Sequence, residues 1–156
     1  MKALTLTQPW ATLVASGAKR IETRSWRTNY TGPLAIHAAK GFPAECRDLC
    51  HHDPFLPSLV HAGFRSTAEL PRGVIVAVAQ LVRCVAIDDI TPSPDELARL
   101  GGAPHEWAFG DYSPGRHAWL LHDVRALQPQ PQVRGALGLW DVPDEIARLI
   151  DLSRAA

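Results

Sequence analysis

The chain has 156 residues, enough for one domain that buries roughly two thirds of the surface its unfolded form exposes, so its fold needs no disulfide. Lys plus Arg total 16 and Asp plus Glu total 16, which excludes long-range attraction to nucleic acid or to an acidic membrane and leaves any polyanion site to a local cluster. An odd three cysteines, no secretory leader and no apolar run long enough for a bilayer point to a reducing, cytoplasmic compartment and no membrane partner.

Residues 2–6 alternate as a strand, and Thr7-Gln8-Pro9 opens a helix whose Trp10, Leu13 and Val14 share a face until Gly17 ends it. Residues 20–26 and 33–39 read as two more strands joined by a polar turn. Residues 43–65 are predicted to be a surface insertion with short helices at 44–51 and 58–64. The valine- and isoleucine-rich run 74–87 is the strongest strand, long enough to bend around a barrel. A short capped helix follows at 92–100. Residues 101–115 form a structured loop whose Trp107, Phe109 and Tyr112 need a surface to pack on. Strands at 117–127 and 137–142 and a closing helix at 143–152, with Ile146, Leu149 and Ile150 on its apolar face, complete the chain. No repeat or linker divides it, so one domain over 1–156 is expected. About six strands without regular strand-helix-strand alternation argue for a small mixed sheet or barrel. Glycine-rich dinucleotide and phosphate loops are both absent from the sequence.

Residues 17–27 carry the main conflict in the chain: a strand-like segment dense in charge. On a strand, Arg20, Glu22, Arg24 and Trp26 share one face, while Ile21 and Thr23 share the other. Turns on both sides suit the floor of a cleft. Lys19, Arg20, Arg24, Arg27 and Lys40 fall in a short window with one acid, Glu22, and supply a candidate local cluster for a polyanion.

Gln8-Pro9-Trp10, then Ser16-Gly17-x-Lys19-x-x-Glu22-x-Arg24-Ser25-Trp26-Arg27-Thr28, then Tyr30-x-Gly32-Pro33-Leu34-x-Ile36-His37-Ala38, resemble the ASCH domain of the PUA-like superfamily. Gly115-Arg116-His117-Ala118-Trp119 and Val133-Arg134-Gly135-x-Leu137-Gly138-Leu139-Trp140 resemble its closing strands. The resemblance implies an α+β fold: a PUA-like mixed β-barrel of about six strands with short flanking helices, and a cleft beside the Gly-x-Lys-x-x-Glu-x-Arg pattern. It also implies RNA or a modified nucleoside as partner. Small bacterial members of the group include an amidohydrolase acting on 4-acetylcytidine and others described as ribonucleases. In the amidohydrolase branch a lysine is followed three residues later by a threonine nucleophile. Lys19 matches the lysine, but Glu22 holds the threonine position and Thr23 lies one place further.

The candidate catalytic residues are therefore Lys19, Glu22 and Arg24: a carboxylate base on water, a cation for developing negative charge, and a guanidinium orienting a carbonyl or phosphate. The alternative is a salt-bridged network tethering the helix end to the strand. Candidate nucleic-acid or nucleoside contacts are Gln8, Trp10, Trp26, Arg27, Tyr30, His37 and Lys40. Trp26 either stacks on a base or packs under the Tyr30 turn. Gln8 either reads a base edge or caps the helix, Trp10 is either core or cleft mouth, and His37 is either a ligand contact or a satisfied buried histidine. Arg116, Trp119 and Arg134 are further candidates from the closing strands. Cys46, Cys50, His51 and His52 fall short of a closed metal site, so no metal or cofactor is expected.

Overall fold

The computed structural model describes residues 1–155, and side chains through residue 152. Six strands form one mixed, curled sheet among the described residues, in the order β2-β5-β4-β3-β1-β6. Strand β1 (Lys2–Leu6) pairs parallel with β3 (Gly32–Ala38) and antiparallel with β6 (Leu139–Asp141). Strand β4 (Val74–Ala86) pairs antiparallel with β3 and with β5 (His117–Ala126), and β2 (Ile21–Arg24) closes the other edge against β5. Register shifts at Val78/Gln80 and Leu81/Arg83 break the ladder between β4 and β5. Such bulges bend a strand and raise its twist, and here they curl the sheet into a half-barrel. The expected α+β barrel of about six strands is the fold observed.

The helices fill the gaps between strands. Helix α1 (Trp10–Ala15) buries Ala11 and Val14 against Leu4, Leu6 and Leu34 of the sheet, and Gly17, with φ of +79°, ends it in the left-handed conformation open to glycine. Helices α2 (Ala44–Leu49) and α3 (Phe55–His61) occupy the segment 43–65. Cys50, Phe55 and Leu59 are buried there in a cluster with Leu13 of α1 and with Phe109. In α4 (Pro94–Arg99) the Ser93 hydroxyl accepts from Glu96 N at 3.1 Å, with Pro94 opening the first turn, which is the expected cap. The aromatic loop holds one further turn of helix, α5 (Glu106–Phe109).

Helix α6 (Asp144–Ala155) packs under the sheet through Ile150, with Ile146 partly buried beside Val142. Leu149, expected on the same apolar face, is 55 % exposed. Among the described residues, Ile146, Ala147 and Ile150 are the helix positions clustered with Ala35, Ile75 and Val78, a narrower stripe than the sequence suggests.

Candidate functional site

The position of β2 is set by a buried carboxylate on α5. Glu106 accepts from Ile21 N at 2.9 Å through Oε1, and from Arg20 N at 2.8 Å and Ala103 N at 2.9 Å through Oε2. Lys19 is 0 % exposed; its ammonium donates to the Ile21 carbonyl and lies 3.7 Å from Glu106 Oε1. Lys19 and Glu106 thus form an ion pair that fastens the end of the α1 turn and the first residue of β2 to α5. This is the tethering network foreseen for Lys19, with Glu106 rather than Glu22 as its carboxylate. Tyr112 packs on the same network through its hydroxyl, 3.3 Å from the Glu106 carbonyl, and burial, then Glu106 and Glu22, push its phenol far above the ordinary range.

With β2 fixed, residues 22–26 form one wall of a cavity of about 510 Å3. Glu22, Arg24 and Trp26 line it, but so do Thr23 and Ser25, and Trp26 lies past the end of β2 at Arg24, so strand alternation alone does not set this wall; Trp10, Phe55 and Phe109 enclose the cavity from the helical side. Glu22 is 8 % exposed: Oε1 accepts from Thr23 N at 2.9 Å, while Oε2 is buried with no hydrogen-bond partner in the protein. Arg24 donates from Nη2 to the Thr5 carbonyl at 2.9 Å, and its Nε is buried without a partner. The Trp26 ring stands edge-on to the buried Trp119, with centroids 4.7 Å apart at 88°. Trp10 donates from Nε1 to the Phe109 carbonyl at 2.8 Å and meets Phe55 edge-to-face.

Arg116 completes the rim. It donates from Nε to the Asp111 carbonyl at 3.1 Å and from Nη2 to the Thr23 carbonyl at 3.2 Å, and it pairs with the Asp111 carboxylate at 3.4 Å. The Ser113 hydroxyl and amide, and then Arg116, hold the Asp111 carboxyl below its usual range.

The remaining candidates are distributed elsewhere. Gln8 is fully buried, with its amide spent on Pro71 O at 2.7 Å and on Thr12 N at 3.1 Å, so it caps α1. The Tyr30 hydroxyl donates to the Pro33 carbonyl and its ring packs on the core. Arg20 and Arg27 are exposed and line separate concavities, Arg20 because the strand begins only at Ile21. His37 and Lys40 line a second cavity that shares Thr5 with the first. The basic window from Lys19 to Lys40 is therefore a cluster in sequence only, spread over five separate places.

His37 sits in a closed network. Its Nε2 lies 2.9 Å from the Val133 carbonyl, which only accepts, so Nε2 carries the proton. Trp140 Nε1 donates to Thr5 Oγ1 at 3.1 Å, which leaves the Thr5 hydroxyl proton for His37 Nδ1 at 3.2 Å. Both ring nitrogens are satisfied by neutral imidazole. Burial pushes the His37 pKa below 6.5, opposed in part by the Val133 bond.

Several cavity residues escaped the sequence: Thr5, Asp111 and the α2–α3 wall of Cys46, Leu49 and Phe55. The aromatic loop 101–115, read as needing a surface, was the one signal that pointed toward them. Glu106 gives none, since Arg20 and Ile21, the partners through which it fixes β2, lie some 85 residues away. Among the described residues no three His, Cys, Asp or Glu side chains gather to hold a metal, and no helix is long and apolar enough to cross a membrane.

Residues 4–131 match the ASCH domain family. No curated protein sequence matches the chain. In fold it is similar to the crystal structure of ASCH from Zymomonas mobilis, at 16 % identity and a TM-score of 0.54, over 97 % of this chain and 94 % of that one. A mutant of the same Zymomonas mobilis protein matches at 17 % identity and a TM-score of 0.54, over 97 % of this chain and 95 % of that one. At this identity the likeness concerns the fold.

Proposed function

The chain belongs to the ASCH domain family, a PUA-like fold associated with RNA binding, and from that premise we propose that the cavity on β2 binds one nucleotide of an RNA, or a modified nucleoside. The observation that carries this proposal is the pair of buried, unpartnered groups on its wall, Glu22 Oε2 and Arg24 Nε. One accepts a hydrogen bond and the other donates. A buried polar group left unsatisfied costs roughly 1–3 kcal/mol, so a ligand that supplies a donor to one and an acceptor to the other recovers that cost twice. The edge of a splayed-out base offers amino and carbonyl groups side by side, and single-stranded RNA is recognised in that way. Trp26 and Trp10 offer rings to its faces, where stacking contributes about 1–3 kcal/mol per base.

Titration of short single-stranded RNAs and of free modified nucleosides at low salt tests the proposal. Saturable binding weakened by Glu22→Gln and by Arg24→Met is expected. Absence of saturable binding for every probe overturns it.

The same Glu22 oxygen favours a second reading, a hydrolase. A carboxylate oxygen free of protein partners is able to take a proton from water as it attacks an acylated nucleoside such as 4-acetylcytidine, or to serve as base in RNA cleavage, with Arg24 orienting the carbonyl or phosphate. Lys19 enters either reading as a positioning residue: it reaches the cavity only through the backbone of Ile21. Glu22→Gln separates the two, since loss of turnover with binding retained marks catalysis and loss of binding alone marks recognition.

A further inference from the structure

The second cavity, about 820 Å3, adjoins the first across Thr5, whose carbonyl takes Arg24 and whose hydroxyl meets His37. Its charged lining is Lys40, Arg72 and Arg134, and no carboxylate lines it. All three are exposed, and among the described residues none is paired with an acid. Arg72 Nη1 donates to the Lys40 carbonyl at 3.4 Å, which holds its guanidinium against the backbone of Lys40. The third follows directly on Val133, which is fixed by two backbone bonds: Val133 N donates to the Gly73 carbonyl at 3.2 Å and the Val133 carbonyl accepts from His37. Gly135 closes on His37 so tightly that a Cβ there would stand 2.5 Å from the ring.

Three like charges around one concavity repel one another, and an anion relieves that repulsion. In a chain of zero net charge their gathering from three distant segments marks a place for a polyanion.

We propose that this cavity is a phosphate subsite for single-stranded RNA, taking the backbone next to the nucleotide held at Glu22 and Arg24. The inference rests on the nucleotide-binding reading of the first cavity and narrows it: the ligand is an oligonucleotide rather than a free nucleoside. The shared wall at Thr5 is what joins the two, because a strand with one base in the first cavity passes directly over the second.

The test uses fluorescence anisotropy of a labelled RNA of about eight nucleotides against wild type, the Lys40→Ala/Arg72→Ala/Arg134→Ala triple variant, Glu22→Gln and Arg24→Met. The three cations are exposed, so the triple variant is expected to keep the wild-type melting temperature. Its affinity at low salt should fall about tenfold or more, and the slope of log K against log salt should become shallower by about 2, at roughly 0.7 for each phosphate no longer neutralised. An unchanged affinity and slope in the triple variant, with binding lost in Glu22→Gln, overturns the subsite and leaves the first cavity's role intact. Loss in the triple variant alone supports the subsite and removes that role. A wild-type protein that binds no RNA overturns both. A nucleoside triphosphate that binds through the three cations while the oligonucleotide does not assigns the cavity to free phosphate and overturns the RNA proposal.

Discussion

Replacing Glu106 by glutamine removes one charge from a pair whose two side chains are each 1 % exposed. At 3.7 Å and an effective dielectric of about 20 the attraction is roughly 4 kcal/mol, much of which offsets the cost of taking both ions out of water. Losing one partner leaves the Lys19 ammonium buried without a counter-charge, which costs about 3–5 kcal/mol. The amide adds a second fault. Both carboxylate oxygens accept from backbone N–H groups, so either orientation turns an NH2 against a donor. Glu106→Gln is therefore expected to lower stability by about 3–5 kcal/mol, or the melting temperature by roughly 6–20 °C in a domain of this size. Urea unfolding followed by circular dichroism, with the m-value unchanged, gives the figure. Adding Lys19→Met removes the stranded charge and should recover part of the loss, a coupling on the order of 0.5–3 kcal/mol. A cost under about 1 kcal/mol, or no recovery in the double variant, refutes the pairing.

Three other outcomes follow from the geometry. Gly135→Ala sets a Cβ 2.5 Å from His37 Cε1 and 2.8 Å from Thr5 Oγ1, atoms held by hydrogen bonds, and should destabilise by about 1–3 kcal/mol in thermal melts; an unchanged melting temperature means that the loop shifts freely. Because the folded protein holds His37 neutral with a pKa below 6.5, the unfolded chain takes up the proton first as pH falls. The stability that His37 contributes is present above pH 6.5 and lost as pH drops from there toward the folded value. Wild type should thus lose more stability than His37→Gln between neutral and mildly acid pH, and parallel curves contradict the assignment. Trp26→Ala removes the edge contact on Trp119 and should cost about 1–3 kcal/mol, visible as a lower melting temperature without ligand; a silent substitution would leave Trp26 to the ligand alone.

What the chain disclosed in advance was local. Leu4-Thr5-Leu6 is enough to place β1, because alternation names both the element and its buried face. Ser93-Pro94 followed by Glu96 is enough to start α4, since cap and first turn lie within four residues. Alternation relates Glu22 and Arg24 within β2 in the same way, but it does not single out the cavity wall, which Thr23 and Ser25 also line and which Trp26 joins from beyond the strand. Lys19 is different. Whether a lysine beside a glycine turn faces solvent, cleft or core depends on Glu106, whose place next to β2 is decided by how the 101–115 loop folds back. The cations of the second cavity are hidden in the same way: Lys40, Arg72 and Arg134 become neighbours only when β3, β4 and the 132–137 loop meet.

The two buried carboxylates around β2 show how the fold separates structure from function. Glu106 uses both oxygens on backbone amides and faces Lys19, so nothing of it is left for a ligand. Glu22, one residue beyond the anchored Ile21, satisfies one oxygen on Thr23 N and leaves the other buried without a partner in the protein. An unsatisfied buried oxygen costs stability in the free protein, and the anchoring network is what holds that oxygen in place against relaxation toward solvent. Strain of this kind persists only where the surroundings over-determine it. Lys19→Met should then weaken ligand binding together with stability, by loosening β2, whereas Glu22→Gln should change binding or turnover at little cost in stability. The opposite pattern, with Lys19→Met stable yet inactive, would place the Lys19 ammonium in the reaction rather than behind it.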